Sequence, residues 1–420
     1  MRPNHFSAAL VALLLPALAG AQEIERVTFD EAVRRAVANH PTVQQAAAGV
    51  LRAEALLQQT RSRSLPAVDA SVSTSVIGPL TEFDGVSITP RTQTLTTAGV
   101  SVPLYAPVSW AARHQAEDQV LASQATQADA RRAIALQTGR AYLAVIVQRR
   151  VLELNERARD NARAHYDYAD QRLQGGLGSR LNALRAQQEL SGDEARVEDA
   201  RMGLRRAQEA LGVLVAVDHP VDAAGEPLFT LPAPAAADLD LVRGRADVLA
   251  IVARQTAAER VFSDSWKSYL PTATARVAPQ LLAPAGLFAN SRSWSTSLQV
   301  SIPLFDGGQR RGEARERQAL LDIVRSERSD AERQAVSEIR TARAAIQAGE
   351  RALAHARAAA TQAGEVLGIT DTAFREGATT NIEVIDAQRR ARDAETAAAV
   401  AEDTLRQAQL ELLGAVGRFP

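Results

Sequence analysis

Two carboxylates near the C-terminus have a spacing that would let them act together. Glu383 and Asp386 are three residues apart in a stretch without proline, and in a helix that spacing places both side chains on one face. Carboxylates brought close together favour cations and repel anions. The simpler interpretation is a solvated helix face on which Asp386 pairs with a nearby arginine.

Residues that usually carry enzyme chemistry form no recognisable site. The six histidines are scattered, and none has a metal-ligand partner at helical spacing. No P-loop, dinucleotide fingerprint or nucleophile elbow is found. His40 is expected to end a helix before Pro41, and His114, His165 and His355 to lie on solvated helix faces. We therefore predict a protein that is not an enzyme, with no cofactor and no metal.

Composition narrows the class of protein further. The net charge of -1 gives no reason to expect a nucleic-acid partner. With no cysteine, the chain has no disulfide and no thiolate site. The same lack removes the acceptor for a bacterial lipid anchor, so any attachment to a membrane must come from the fold.

The N-terminus predicts export. Arg2 precedes an apolar run over residues 8–18 and the small residues Ala19 and Ala21, which is the pattern of a secretory signal peptide over residues 1–21. A buried N-terminal helix is the less favoured alternative, because the run is short and ends in small residues. No other stretch approaches the roughly 18 apolar residues of a membrane-spanning helix.

The remaining chain consists of two copies of one pattern. Residues 101–105 (SVPLY) recur as 301–305 (SIPLF), and Leu65-Pro66 recurs as Leu270-Pro271. Further matches follow in the same order with an offset near two hundred, which indicates an internal duplication. We assign the first repeat to 22–216, a Pro/Ala-rich linker in the equatorial region to 217–238, and the second repeat to 239–420. Four prolines exclude a long helix from the linker.

Each repeat is predicted to contain a helix, a β-hairpin, a very long helix and a return helix. In the first repeat these elements span residues 29–62, 66–103, 107–174 and 179–215. In the second they span residues 240–268, 271–303, 306–376 and 379–416. At 1.5 Å per residue the long helices would extend roughly 100 Å. Helices of that length are rare in compact globules and imply coiled-coil packing.

The predicted strands alternate apolar and polar residues. Val68, Val72 and Val76 in the first strand are separated by polar residues, and Trp294 and Leu298 in the last strand follow the same period of two. Each run has about ten residues, the length that a tilted strand needs to cross a bilayer. The alternative is a soluble hairpin whose apolar face covers a helix.

Four such strands are too few to close a barrel, which needs about eight. An open edge in lipid would leave backbone groups unpaired, so we expect three chains to pool twelve strands under cyclic symmetry. Aromatic residues lie where a membrane barrel carries its girdles. Tyr105, Tyr269 and Phe305 are at the strand ends nearest the helices, and Trp294 is at the opposite end.

This order of elements resembles the TolC family of outer-membrane efflux proteins. The most specific matches are residues 102–105 (VPLY), 302–305 (IPLF), 306–308 (DGG) and 377–388 (GATTNIEVIDAQ). The resemblance implies a mainly α, internally duplicated fold with a small transmembrane β part. In the assembled homotrimer, long coiled-coil helices would form a periplasmic α-barrel below a twelve-stranded β-barrel in outer-membrane lipid.

The resemblance also implies a function. The trimer would be the exit duct of a tripartite efflux or type I secretion system in a Gram-negative outer membrane, with most of the chain in the periplasm. Its partners would be a periplasmic adaptor and a proton-driven or ATP-driven inner-membrane pump. The alternative is a trimeric coiled-coil structural or adhesive cell-surface protein with a β-barrel anchor. Such a stalk has no need of two matched copies.

The family's periplasmic gate maps onto the second repeat. The resemblance places Glu383 and Asp386 at the constriction. The prototype members hold the entrance closed with a tyrosine and an arginine, and the matching positions here are Phe374 and Thr379. Phenylalanine has no hydroxyl and threonine no charge, so the latch must differ. Arg375 would point elsewhere on its helix.

The resemblance further implies that adaptors dock at the two turns after the long helices. Those turns consist of Gly176, Leu177, Gly178 and Ser179 in the first repeat and Gly377, Ala378, Thr379 and Thr380 in the second. Leu177 would be an exposed apolar contact. The plain interpretation is a pair of tight turns without a partner.

Overall fold

A computed structural model of the chain describes residues 24–80, 82–83, 86–231 and 238–419. The predicted signal peptide and residues 232–237, near the end of the predicted linker, lie outside the described residues. The described chain is mainly helical with a small strand part, as predicted. Within these ranges no helix is both long and apolar enough to cross a membrane.

Long helices dominate the element order. The helices are α1 (Phe29–Asn39), α2 (Pro41–Ser62), α3 (Pro107–Gln174), α4 (Arg180–Val215), α5 (Asp238–Arg243), α6 (Ala246–Ser263), α7 (Gln309–Arg375) and α8 (Asn381–Ala415). The strands are β1 (Glu25–Val27), β2 (Ala67–Val76), β3 (Glu82–Phe83), β4 (Val86–Ser87), β5 (Thr92–Tyr105), β6 (Val221–Ala223), β7 (Thr272–Ala283) and β8 (Arg292–Ser301).

The first helix of each repeat is divided, which corrects the prediction of one continuous helix. In the first repeat the break is at His40, whose backbone is extended because the next residue is Pro41. The His40 ring caps α2 by accepting a hydrogen bond from the N–H of Thr42 at 3.2 Å. In the second repeat α5, α6 and a 3₁₀ turn over Ser265–Tyr269 replace the single helix predicted over residues 240–268. Arg245 is extended between α5 and α6, and its buried guanidinium reaches the carbonyl of Ala415.

The four longest helices form two antiparallel pairs, α3 with α4 and α7 with α8. Helix α8 also packs on α3, so the two pairs lie side by side. Alanine is the commonest buried residue along these helices, and its small side chain lets their backbones approach closely.

The largest core cluster lies midway along α3, where α1, α4 and α8 meet it. Its centre is made by Tyr142, Leu143, Leu211 and Leu410. Strands β1 and β6 pair in parallel beside this cluster, a pairing that sequence reasoning missed because each strand has only three residues. The Tyr142 hydroxyl lies 2.9 Å from the carbonyl of Gly225, so the linker is tied to the helices.

Four strands form one antiparallel sheet in the order β2-β5-β7-β8. The β5–β7 pairing joins the hairpins of the two repeats. Its register keeps apolar residues on one face, where Val68 is opposite Val100 and Val100 is opposite Val277. The other face is mainly polar, as where Ser71 is opposite Thr97, and it includes one apolar pair, Leu95 opposite Leu282. Both faces of β2 and β8 are exposed in the protomer, so the sheet is two-faced and open at its edges.

Candidate functional site at the helical tips

The turns that join each long helix to its return helix share one backbone geometry. Gly176 and Gly377 have φ values of 75° and 77°, which glycine adopts without the steric cost of a Cβ. The N–H groups of Leu177 and Ala378 donate to carbonyl groups five residues back, at 2.9 and 2.8 Å. This closure is a Schellman motif, so the duplication repeats the turn bond for bond.

The side chains of the two turns differ. Leu177 is 79% exposed, while its counterpart Ala378 offers only a methyl group. A Cβ at Gly178 would lie 2.7 Å from the backbone nitrogen of Leu173, so this position requires glycine. The first tip therefore presents the larger apolar contact, at the position predicted to dock an adaptor.

The N-caps of the return helices differ as well. Ser179 caps α4 by accepting a hydrogen bond from the N–H of Leu181 at 3.2 Å. Thr380 occupies the same place before α8 and makes no side-chain cap bond. Thr379, predicted to lie in the latch, is half-buried beside it. The first tip is thus the better capped of the two.

The predicted gate carboxylates lie on the exposed face of the first two turns of α8. Glu383 and Asp386 are exposed, while Val384 and Ile385 between them are buried. Asp386 pairs with Arg390 at 2.8 Å, as the simpler interpretation expected. No ion pair of Glu383 is found among the described residues. Within one protomer, Glu383 is thus the carboxylate left available to a neighbouring chain or an ion.

Phe374 is buried at the end of α7, where it contacts two rings of α3. Its ring centroid lies 5.2 Å from that of His165 and 5.8 Å from that of Tyr168, the latter edge-on. Edge-to-face ring pairs contribute about 1 kcal/mol beyond area burial. Arg375 turns outward to Asp371 at 2.7 Å, as predicted. A ring cluster thus surrounds Phe374, one of the two positions predicted to lie in the latch.

His165 is buried, which corrects the prediction of a solvated face. Its Nε2 lies 2.6 Å from Oδ1 of Asn381, and Nδ2 of Asn381 donates to the carbonyl of Asn182 at 3.2 Å. Because the second bond fixes the amide orientation, the imidazole proton is on Nε2. Burial lowers the pKa of His165, which keeps the ring neutral. His165 and Asn381 together tie α3, α4 and α8 at the tip.

A buried ion cluster lies on α4 and α8 beyond the tip. Arg389 donates to Glu189 at 2.8 Å, and Arg392 donates to Asp193 at 2.7 Å. Both carboxylates are almost fully buried. Sequence reasoning missed the cluster. The sequence does contain a signal for it. Glu189 and Asp193 are four residues apart on α4, and Arg389 and Arg392 are three residues apart, two hundred positions later.

The predicted girdle aromatics lie at the ends of the sheet. Tyr105 ends β5 opposite Ala273, and its ring contacts Trp110 of α3 edge-on at 5.6 Å. Tyr269 precedes β7, and Phe305 follows β8 with 91% exposure. Trp294 is near the other end and 74% exposed. The four rings are therefore distributed between the two ends of the sheet.

The family model described as outer membrane efflux protein matches residues 32–216 and 273–418. Each matched segment contains two strands of the sheet, one long helix and its return helix. The chain belongs to the outer membrane efflux protein family.

Two curated proteins resemble the chain along part of their length. Fusaric acid resistance protein FusA of Burkholderia cepacia is 26% identical over 306 residues, covering 68% of this chain and 57% of that protein. Outer membrane protein OprJ of Pseudomonas aeruginosa is 27% identical over 284 residues, covering 64% of this chain and 58% of that protein. The matches thus span less than two thirds of either relative.

A solved outer-membrane channel has the same fold. The CmeC outer membrane channel of Campylobacter jejuni superposes with a TM-score of 0.81, and the match covers 93% of this chain and 85% of that one at 16% identity. At that identity the likeness concerns the fold. It extends over both repeats of this outer membrane efflux protein.

Proposed function

We propose that three copies of the chain form the exit duct of a tripartite efflux or type I secretion system in the outer membrane of a Gram-negative bacterium. The observation that carries the proposal is the open four-stranded sheet, exposed on an apolar and a polar face and attached to two long helical hairpins. Family membership supports the same conclusion.

The sheet requires partners if it lies in lipid. Its edge strands β2 and β8 each have one neighbour among the described strands, and each unpaired backbone group in lipid costs several kcal/mol. Three chains pool twelve strands and close the edges, which makes a homotrimer the simplest solution. The apolar face then meets outer-membrane lipid, and the polar face lines water.

The helices form the periplasmic part of the proposed duct. In the trimer the six helical hairpins make an α-barrel whose tips carry Leu177 and Glu383. Threefold symmetry repeats Glu383 and Asp386 as rings at the entrance, where carboxylates favour cations. Leu177 is proposed to contact a periplasmic adaptor, which joins the duct to an inner-membrane pump driven by protons or ATP.

The duct is proposed to be a passive conduit and not an enzyme. In the described ranges, no three His, Asp or Glu side chains are grouped as metal ligands, and His165, Glu189 and Asp193 near the tips are engaged in hydrogen bonds and ion pairs within the protomer. The name of the Burkholderia relative, fusaric acid resistance protein, makes small organic toxins the first cargo class to test.

Purification and reconstitution test the proposal. The full chain should run as a trimer in light scattering and give steady openings in planar bilayers. A trimeric coiled-coil stalk, the alternative function, would be trimeric without steady conductance. A trimer without conductance would therefore overturn the duct in favour of the stalk.

A further inference from the structure

The polar face of the sheet carries one ion pair. Arg276 of β7 contacts Asp69 of β2 at 2.7 Å. Apart from Arg292 at the first position of β8, these are the charged residues of the four sheet strands. Strand β5 lies between β2 and β7, so the Arg276 side chain crosses a complete strand to reach its partner.

Gly99 makes this crossing possible. It pairs with Asp69 in the register and lies on the same face. A Cβ at position 99 would overlap the guanidinium, 2.8 Å from Cζ of Arg276. Gly99 is buried while Ala98 and Val100 beside it are exposed, because the guanidinium covers it. Gly99 therefore leaves the space in which the guanidinium of Arg276 lies flat against β5.

The local pairing of β5 and β7 also accommodates the crossing. Ala98 and Gly99 of β5 are not paired with β7, and the pairing resumes at Val100, which is opposite Val277. The unpaired stretch of β5 lies opposite the part of β7 that contains Pro279, which has no N–H to donate. Ser101 and Ser297 flank Arg276 on the same face in the adjoining strands. Around the pair this face carries Gly99, Ser101 and Ser297, and further along β5 and β7 it also carries Leu95 opposite Leu282.

We propose that Asp69 and Gly99 are positioning residues for Arg276, and that this arrangement sets the ion selectivity of the strand section of the duct. The inference rests on the proposed function. In the closed barrel, three Arg276 side chains would lie at one level of the water-filled lumen. Held flat by Asp69, each charge is neutralised at the wall. Released, each would project into the lumen, attract anions and narrow the passage.

The test is the reversal potential and conductance of the reconstituted full chain in planar bilayers under a salt gradient. Asp69→Asn should shift selectivity towards anions, and Arg276→Gln should shift it towards cations. The double variant should return close to wild type, because both charges are then absent. Gly99→Val changes no charge, yet it should lower conductance and shift selectivity towards anions by displacing Arg276.

Ala98→Val is the matched control, because it also introduces a valine into β5, but on the opposite, apolar face of the strand. It should leave selectivity unchanged. Wild-type selectivity in all three single variants at positions 69, 99 and 276 would overturn the inference while leaving the duct intact. A wild-type protein that gives no steady conductance would instead overturn the proposed function. Circular dichroism and trimer mass establish that each variant compared is folded.

Discussion

Nε2 of His165 lies 2.6 Å from Oδ1 of Asn381. This hydrogen bond joins a buried residue near the end of α3 to the first residue of α8, 216 positions later. Phe374 packs on the same imidazole from the end of α7. The second helical pair is therefore held to the first at the tip by a neutral hydrogen bond and a ring contact, and the ion pairs of Arg389 and Arg392 with α4 follow further along α8.

The ring cluster predicts that Phe374→Ala loosens the tip. Removing the buried ring should cost about 3 kcal/mol or more of packing free energy, and it weakens the packing of α7 on α3. We expect a higher steady conductance in planar bilayers, because the entrance opens more easily. Ile369→Ala, which truncates a side chain that is 70% exposed on the same helix, is the control and should conduct like wild type. Equal conductance of Phe374→Ala and wild type would contradict the claim that the ring cluster helps to hold the entrance closed.

The buried ion cluster predicts a stability difference between two glutamates of α4. Glu189→Gln removes a carboxylate that is 5% exposed and that accepts hydrogen bonds from Arg389, while the buried Arg392 keeps its partner Asp193 at 2.7 Å. No buried charge is left unpaired, so the cost is that of the lost charged hydrogen bonds, about 1.5–3 kcal/mol. Glu194→Gln removes an exposed partner of Arg163 and should cost less than about 1 kcal/mol. Denaturant unfolding of the detergent-solubilised trimer measures both. Similar destabilisation in the two variants would show that the cluster contributes no more than a surface pair.

Asp403 predicts a pH dependence of stability. Burial raises its pKa to about 6, against the opposing effects of Arg406 and Gln407. Because the folded protein binds this proton more tightly than the unfolded chain, the carboxyl destabilises the fold increasingly as pH rises from about 4 to 6. Asp403→Asn should therefore be more stable than wild type at pH 7, by up to about 3 kcal/mol.

Thermal unfolding across this pH range checks the prediction for Asp403. The stability difference between Asp403→Asn and wild type should grow with pH and level off above the folded pKa. Asp330→Asn, at an exposed position on α7, should give no such trend. A difference that is constant with pH would mean that folding does not shift the pKa of Asp403.

The exposed Leu177 predicts a docking contact. Leu177→Asp should leave the trimer folded, because the side chain is 79% exposed, and should abolish transport in cells. Val213→Asp is a matched control, since it introduces the same charge at an apolar residue 69% exposed at the far end of α4. Drug resistance assays in a strain lacking its own duct compare them. Unchanged resistance with Leu177→Asp would contradict the docking role.

Elements with clear local signals could be predicted from the sequence. Helix α3 has its predicted bounds because Pro107 and the Gly175-Gly176 pair mark its ends. The helix end at His40 was predicted from Pro41 and is confirmed, but the single helix predicted over residues 29–62 was wrong because it ignored that break. The bonds between His165 and Asn381 and between Glu189 and Arg389 join residues about two hundred positions apart. Sequence spacing predicts contacts only between residues a few positions apart, so these contacts at the tip could be seen only in the tertiary structure.

Conductance of the purified full chain in planar bilayers tests the central claim most directly. The duct predicts steady openings from a trimeric protein, with Phe374→Ala conducting more than wild type. A folded trimer that gives no steady openings in the wild type and in Phe374→Ala alike would contradict the claim that this chain forms a conduit.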